Sequence, residues 1–382
     1  MEKYRFYVLT AIVSISGFTQ GMLLTLLSVI LERKGVSSSL NGFNATGLYL
    51  GILIASPFME KPLRRFGYKP LIIVGLLSIL LSVTLMPLLQ GFWIWFLLRL
   101  IIGIGNQILQ FSTQTWITST TPIEKMGRTL SFYGLSFGAG FALGPLTVNF
   151  IDIHEIIPFA ITSIATLIAC SLVLRLQNDF PEQTSSAQIE GNVILRFKQT
   201  IQIAGIALLP GFTYGFLESS LNGNFPVYAL RNGFNIQSVS ILLPIFVIGS
   251  LISQIPLGIL SDRFGRKKVL SIILFSGTAS FFIAIFMNTP FTLGLCFLFA
   301  GMFVGSLFSL GISYMADLLP KYLLPSGTIL AGVAFGIGSM LGPLTGGVAI
   351  DLLGKGSLFI ILTTVLLIVS FLITISNPEK KC

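Results

Sequence analysis

Apolar runs about twenty residues long recur along the whole chain with short polar breaks between them, and no other feature limits the possible folds as severely. Twelve such runs stand at 6–31, 42–59, 69–89, 91–117, 129–151, 157–175, 200–230, 236–260, 268–288, 290–316, 326–350 and 356–376. With 53% hydrophobic residues, 10% charged and a mean hydropathy of +0.90, so much apolar surface has no room in a water-soluble core. Each run is long enough to cross a hydrocarbon layer of roughly 30 Å. Backbone groups in lipid must be satisfied within their own segment, and the two-residue alternation of a barrel is absent, so each run predicts a helix. The expected fold class is an all-α integral membrane protein with twelve transmembrane helices. The first run lacks a cleavage-site pattern and is too long for a signal peptide, so it is expected to be retained. Cys170 and Cys296 lie inside apolar runs and Cys382 is the last residue, which indicates neither a disulfide framework nor a thiolate metal site.

A net charge of +9 would suggest nucleic acid in a soluble protein, but its distribution argues for topology instead. Of the 23 Lys and Arg residues, Arg99 lies inside a run, and only Arg33, Lys34, Arg231 and Lys355 fall on the side opposite the N-terminus. That asymmetry predicts both termini on the cytoplasmic side of a cell membrane, and the protein is expected to be bacterial.

Sliding the chain by 198 positions aligns it with itself. Arg65, Phe66 and Gly67 meet Arg263, Phe264 and Gly265; Gly17 meets Gly215, Gly51 meets Gly249, and Gly103 meets Gly301. The longest match pairs Gly134, Phe137, Gly138, Gly140, Leu143, Gly144 and Pro145 with Gly332, Phe335, Gly336, Gly338, Leu341, Gly342 and Pro343. Six runs per copy give two parallel six-helix repeats, expected as bundles at 1–175 and 200–382. The polar stretch between them, 176–199, reads as a cytoplasmic linker.

On these residues the chain resembles the major facilitator superfamily of transporters, and in particular its twelve-helix drug/proton antiporters. Gly258 to Leu270, written G-I-L-S-D-R-F-G-R-K-K-V-L, is similar to the cytoplasmic signature between the second and third helices of a half. Arg99 followed by Gly103 and Gly105 resembles the fourth-helix motif of the exporters. Gly338, Gly342, Pro343, Gly346 and Gly347 resemble the fifth-helix antiporter motif displaced into the eleventh run, while the first copy keeps Gly140, Gly144 and Pro145 and continues as Val148-Asn149.

Glu218 is the sharpest candidate for chemistry. It lies near the middle of the seventh run, where a carboxylate is costly unless it faces water or a partner. Tyr214, Asn222 and Phe225 share its face at helical spacing. Loss of hydration penalises the charged form of a carboxyl, as a proton carrier requires. The 198-residue shift puts Gln20 at the equivalent place in the first run. The resemblance implies that an acidic residue here couples proton entry to substrate release; the alternative is a structural carboxylate bonded between helices. Arg99 stands with Asn106, Gln107, Gln110 and Gln114 on or beside its face, which reads either as a cavity lining with a fixed positive charge or as an arginine that snorkels or braces its helix. Together Gln20, Asn106, Gln107, Gln110, Tyr214, Asn222, Phe225 and Ser309 form the expected substrate cavity, with Glu218 and Arg99 as the proton-coupling pair. Ser309 sits in a mild serine stripe that packing also explains.

Gly140, Gly144, Pro145, Gly338, Gly342 and Pro343 are expected to pack helices closely and bend them. The Gly-x-Gly pairs within these runs follow no strand, so a dinucleotide loop is rejected. His154, beside Asp152 and Glu155, has no second ligand nearby and reads as a solvated loop residue. The signature loop reads as a gate formed by Gly258, Asp262, Arg263, Gly265, Arg266, Asp317 and Glu60. Asp262 is placed to meet a positive helix end, and Arg263 or Arg266 to pair with Asp317. In the first copy Glu60 stands at the Gly258 position and Arg64 at the Asp262 position, so the latch is expected to be asymmetric. Asp262→Asn should then impair transport more than Arg64→Asn, and the reverse ranking in a transport assay would remove the idea.

No nucleophile with a base and no phosphate loop is present, so neither an enzyme nor ATP-driven transport is expected, and no cofactor or metal. The reading is proton-coupled export of small amphipathic or lipophilic compounds by alternating access. Uptake of a metabolite, flipping of a lipid-like substrate, or a non-transporting sensor are the alternatives. Expected partners are a small-molecule substrate, protons and the lipid bilayer, with no nucleic acid, in a monomer.

Overall fold

The computed structural model describes residues 2–181, 193–354 and 356–376. The chain divides into two compact units, Met1–Leu31 with Phe43–Thr184, and Glu32–Gly42 with Ser185–Cys382. In chain order the first copy supplies α1 (Glu2–Arg33), α2 (Ser38–Ala55), α3 (Glu60–Phe66), α4 (Tyr68–Leu85), α5 (Phe92–Thr120), α6 (Ile123–Leu143) and α7 (Ile156–Leu174). The second supplies α8 (Val193–Ala204), α9 (Leu209–Arg231), α10 (Ile236–Phe264), α11 (Arg266–Ala284), α12 (Pro290–Val304), α13 (Leu307–Leu318), α14 (Leu324–Leu353) and α15 (Ser357–Ile375). Among the described residues, 11 helices are long and apolar enough to cross a membrane, or 12 if the pair Ser38–Phe58 and Glu60–Phe66, bent by 62°, counts as one span. The bend follows a short 3₁₀ turn, Ser56–Phe58, that contains Pro57. A proline there withholds one helical N–H and crowds the preceding turn.

Helix ends carry ordinary chemistry. Asn235 caps α10 by accepting from the Ser238 amide at 2.8 Å, and Thr289 caps α12 through the Thr292 amide at 3.3 Å. Gly67 and Gly265 terminate α3 and α10 with φ of 83° and 91°, a left-handed turn that a side chain would strain.

Packing within each unit repeats at the 198-residue shift. A Cβ on Gly17 would run into the Phe137 carbonyl, and one on Gly215 into the Phe335 carbonyl. Gly140 likewise lies on the Ser14 carbonyl and Gly338 on that of Phe212; Gly51 meets Leu100 and Gly249 meets Leu298. The repeated letters therefore record repeated backbone contacts: α1 on α6 in the first unit, α9 on α14 in the second. In the second unit Phe225, Phe297, Phe281 and Phe359 are wholly buried together, so aromatic packing fills the centre of that bundle.

Two boundaries differ from the expected ones. Residues 176–199 are not one linker. Asn178 and Asp179 are fastened to the first unit, where Asn178 accepts from the Lys69 amide at 3.0 Å and the Asp179 carbonyl accepts from the Tyr68 amide at 3.0 Å. Val193–Ala204 forms α8, because Arg196 and Lys198 interrupt an apolar pattern without preventing a helix. Residues 182–192 of the expected linker lie outside the described residues.

The second departure is Glu32–Gly42, first-copy sequence that clusters with the second unit. Arg231 donates to Glu32 at 2.7 and 3.1 Å and to Asp351 at 3.0 Å. Asp351 also accepts from the Ser38 amide at 3.1 Å, the Ser39 amide at 2.8 Å and the Ser39 hydroxyl at 2.6 Å, at the positive start of α2. Asp351→Ala leaves the Ser38 and Ser39 amides without their acceptor while Arg231 keeps Glu32, so it is expected to cost about 1–2 kcal/mol, read as a lower midpoint in thermal unfolding. Glu60→Ala is the contrast. Its pair with Arg64 at 2.8 Å is solvent-exposed, and its loss is expected to change stability by less than about 1 kcal/mol.

Candidate functional site

In the second unit the site is built along α9. This helix carries Pro210 in its first turn and Pro226 in its interior, which cannot donate to the Asn222 carbonyl one turn earlier. Asn222 bonds the same strip of backbone, its Nδ2 donating to the Glu218 carbonyl at 2.8 Å. The Glu218 carboxyl, half-buried in mid-helix, has no hydrogen-bond or ion-pair partner among the described residues. Its neighbour one turn back is Tyr214, whose hydroxyl lies within electrostatic range of it. The Tyr214 ring packs on Phe335 at 6.1 Å, and Phe335 meets Phe308 edge-on at 5.4 Å. These three aromatics are half-buried, unlike those of the core.

Phe335, from α14, thus packs on Tyr214, and Phe308, from α13, packs on Phe335, although neither is among the residues expected for the site. A signal for Phe335 is present in the repeat, where it matches Phe137. Phe225 is a correction: its side chain is wholly buried, 4.8 Å from the Phe297 ring and 6.4 Å from Phe359, so it packs the core and lines no cavity. A shared helical face with Glu218 does not reveal that the face passes from half-buried to wholly buried within two turns. Ser309 is exposed and turns its hydroxyl back to the Ser306 carbonyl at 3.0 Å.

In the first unit the polar residues meet between α1 and α5. Arg99 is 1% exposed, so it does not snorkel. Its Nη2 donates to the Leu23 carbonyl at 3.3 Å, Tyr49 lies within electrostatic range, and Nη1 has no partner among the described residues. Two turns along, Asn106 accepts from the Ser16 hydroxyl at 2.8 Å and keeps its Nδ2 unpaired. Gln20 sits between these contacts on α1 with its Oε1 buried and unpaired. Gln107 and Gln110 are half-buried and Gln114 is exposed. The seam thus offers unspent donors and an acceptor in the middle of a membrane helix pair, where unpaired polar atoms are costly.

The signature loop lies at one end of the second unit. Arg266 joins three groups: Asp317 at 3.1 Å, Asp262 at 3.3 Å and the Ser313 carbonyl. Of the two arginines considered for Asp317, it is Arg266 that makes the pair; Arg263 lies over the Phe264 ring at 5.6 Å. In the first unit Glu60 pairs with Arg64 on its own helix, and Arg65 lies over Phe66 at 5.2 Å, repeating Arg263. Gly258 stands open, with nothing within 4 Å of where its Cβ would lie. Gly140, Gly144, Gly338 and Gly342 all lie on the backbone of a facing helix, while Pro145 opens a 3₁₀ stretch, Gly144–Asp152, and Pro343 stays within α14.

The family profile of the Major Facilitator Superfamily matches residues 9–235 and 207–381. The chain belongs to that superfamily. It is 49% identical over 380 residues to the uncharacterized MFS-type transporter YfkF of Bacillus subtilis (strain 168), covering 100% of this chain and 97% of the relative. Multidrug resistance protein 2 of the same organism is 24% identical over 363 residues, covering 92% and 90%. Among solved structures, the nucleoside transporter NupG superposes with a TM-score of 0.79 at 14% identity, covering 97% of this chain and 98% of that one. A bacterial homolog of the human lysosomal transporter Spinster superposes with 0.75 at 15%, covering 98% and 97%. At such identities the two structures speak to the fold alone. This superfamily member is a multi-pass membrane transporter for a small molecule and not an enzyme.

Proposed function

We propose that the transporter exports small amphipathic or lipophilic compounds in exchange for protons, with Glu218 as the proton carrier. The observation that carries this reading is a mid-helix carboxyl without a cationic or hydrogen-bonding partner among the described residues, one turn from Tyr214, whose half-buried ring packs on Phe335 and through it reaches Phe308. A structural carboxylate would be expected to hold a partner, because burying an unpaired charge is costly. A carboxyl that loses its charge on protonation and regains it on release avoids that cost in half of each cycle. The aromatic wall suits flat apolar substrates, and the relationship to a multidrug resistance protein agrees with such a substrate class.

In this reading both termini face the cytoplasm, the protein acts as a monomer in the cell membrane, and Asp262, Arg266 and Asp317 brace the cytoplasmic end of the second unit through each cycle. Arg99, Gln20 and Asn106 form the polar seam of the first unit.

The test is transport by purified protein in liposomes. A proton gradient directed opposite to substrate flux should drive lipophilic dye movement, and a dye gradient should move protons the other way. Transport that runs with the proton gradient would replace export by uptake. Dye movement indifferent to any proton gradient would remove proton coupling.

A further inference from the structure

The two units treat the space beside the signature turn differently. In the first unit the chain leaving α7 folds back over Gly67 and fills it with a carboxylate. Asp179 Oδ2 accepts from Trp116 Nε1 at 3.3 Å and from Arg5 at 3.3 Å, and Lys69 Nζ donates to the Leu174 and Leu176 carbonyls at 2.8 and 2.7 Å. Moving 198 positions on, Lys69 becomes Lys267 and Trp116 becomes Tyr314. Lys267 repeats its counterpart's contact by donating to the Ser376 carbonyl at the end of α15. The residue at the position of Asp179, however, is Asn377, which carries no charge.

In the second unit the corresponding place is a cavity of about 660 Å³. Arg266, Lys267 and Lys268 line it together with Tyr314, Ser271 and Thr374, and Asp317 is the sole acid among the described residues of its wall. Asp317 is paired with Arg266, and Lys268 has no hydrogen-bond or ion-pair partner among the described residues. Among the described residues, then, the wall carries more cations than acids, with Lys268 left unpaired, where the first unit has the carboxylate of Asp179. It opens beside apolar side chains on the outer surface of α11 and α15, with Ile272 54%, Phe371 51% and Ile375 75% exposed. A soluble anion would gain nothing from that flank, whereas a phospholipid places a phosphate at the charged end and acyl chains along the apolar one.

We propose that this cavity binds the phosphate of an anionic phospholipid, which supplies in the second unit the negative charge that Asp179 supplies in the first. Basic pockets between membrane helices are suited to such head groups, and a phosphate oxygen can take up N–H donors from Lys268 and Arg266 at once. The bound lipid bridges the α10–α11 turn to the ends of α13 and α15, the elements that Arg266 and Lys267 already join. Neither the direction of transport nor proton coupling bears on this binding.

The experiment titrates the purified full-length protein in neutral detergent with phosphatidylglycerol and reads the unfolding midpoint. The midpoint is expected to rise with phosphatidylglycerol and hardly at all with phosphatidylcholine. Lys268→Glu should raise the amount of phosphatidylglycerol needed for the same rise about tenfold or more, while Lys125→Glu in the first unit, an equal change of charge, should leave it unchanged. Should Lys268→Glu not fold, Lys268→Ala with phosphatidylglycerol retention counted by native mass spectrometry gives the same comparison. Equal lipid requirement in wild type and variant overturns the proposal. So does an equal rise with inorganic phosphate, which assigns the cavity to a soluble anion. If deleting 377–382 abolishes the Lys268 effect, the chain's own tail is the occupant and the lipid is not.

Discussion

Glu218→Gln is expected to abolish proton-driven transport in liposomes while the protein still folds and inserts. Glutamine keeps the size and hydrogen-bonding capacity of the protonated acid but cannot release a proton, so the variant is held in one of the two states of the cycle. The sign of the pH effect follows. If protonation displaces substrate, wild-type affinity falls as the pH falls through the carboxyl's titration. The variant, resembling the protonated form, binds weakly at every pH. Glu218→Asp should restore a pH-dependent profile with reduced rate, because it returns a titrating group at a shorter reach. A merely structural carboxylate would behave otherwise: Glu218→Gln would change the unfolding midpoint and leave coupling intact. Equilibrium dye binding across a pH series, alongside the liposome flux, separates the two, and a pH-dependent affinity in Glu218→Gln equal to that of wild type would discard the carrier role.

What can be read from the sequence divides by the distance over which the physics acts. The spans are legible because length and apolarity are local, and the two copies because the close-contact glycines recur at one shift. The Arg266–Asp317 pair is legible as one of two choices, since both charges sit at helix ends with few alternatives. The rest depends on contacts that a single helix does not record. Phe225 and Glu218 share a helical face, yet only the approach of Phe297 and Phe359 makes the further part of that face core. Phe308 and Phe335 come to Tyr214 from other helices, so no spacing within α9 points to them. The attachment of Glu32–Gly42 to the second unit rests on Arg231 and Asp351, far away in sequence; Arg231 has a counterpart in Arg33, but Asp351 is unmatched in the first copy, where Ile153 stands at its position.

The glycine seams give the second large effect, and here the same substitution should change sign with position. Adding a methyl group at Gly140 drives it into the Ser14 carbonyl, and at Gly338 into the Phe212 carbonyl. The obstacle is backbone in both cases, so no rotamer change relieves it, and the facing helices must separate along the seam. Gly140→Ala and Gly338→Ala are each expected to cost about 1–3 kcal/mol or more, as overpacking does elsewhere. Gly134 and Gly332, on the same helices and also 198 positions apart, have nothing within 4 Å of where a Cβ would stand. There alanine only restricts the unfolded chain and favours the helix, so Gly134→Ala and Gly332→Ala are expected to be neutral or to stabilise by about 0.5–1 kcal/mol. Thermal unfolding of the four single variants in detergent measures the contrast. Because Gly140 and Gly338 lie in different units with no shared contact partner, the double variant should lose close to the sum of the single losses. A Gly338→Ala protein as stable as Gly332→Ala would mean that α9 and α14 are not held at backbone distance. The repeated glycines would then reflect something other than the packing that makes the two halves alike.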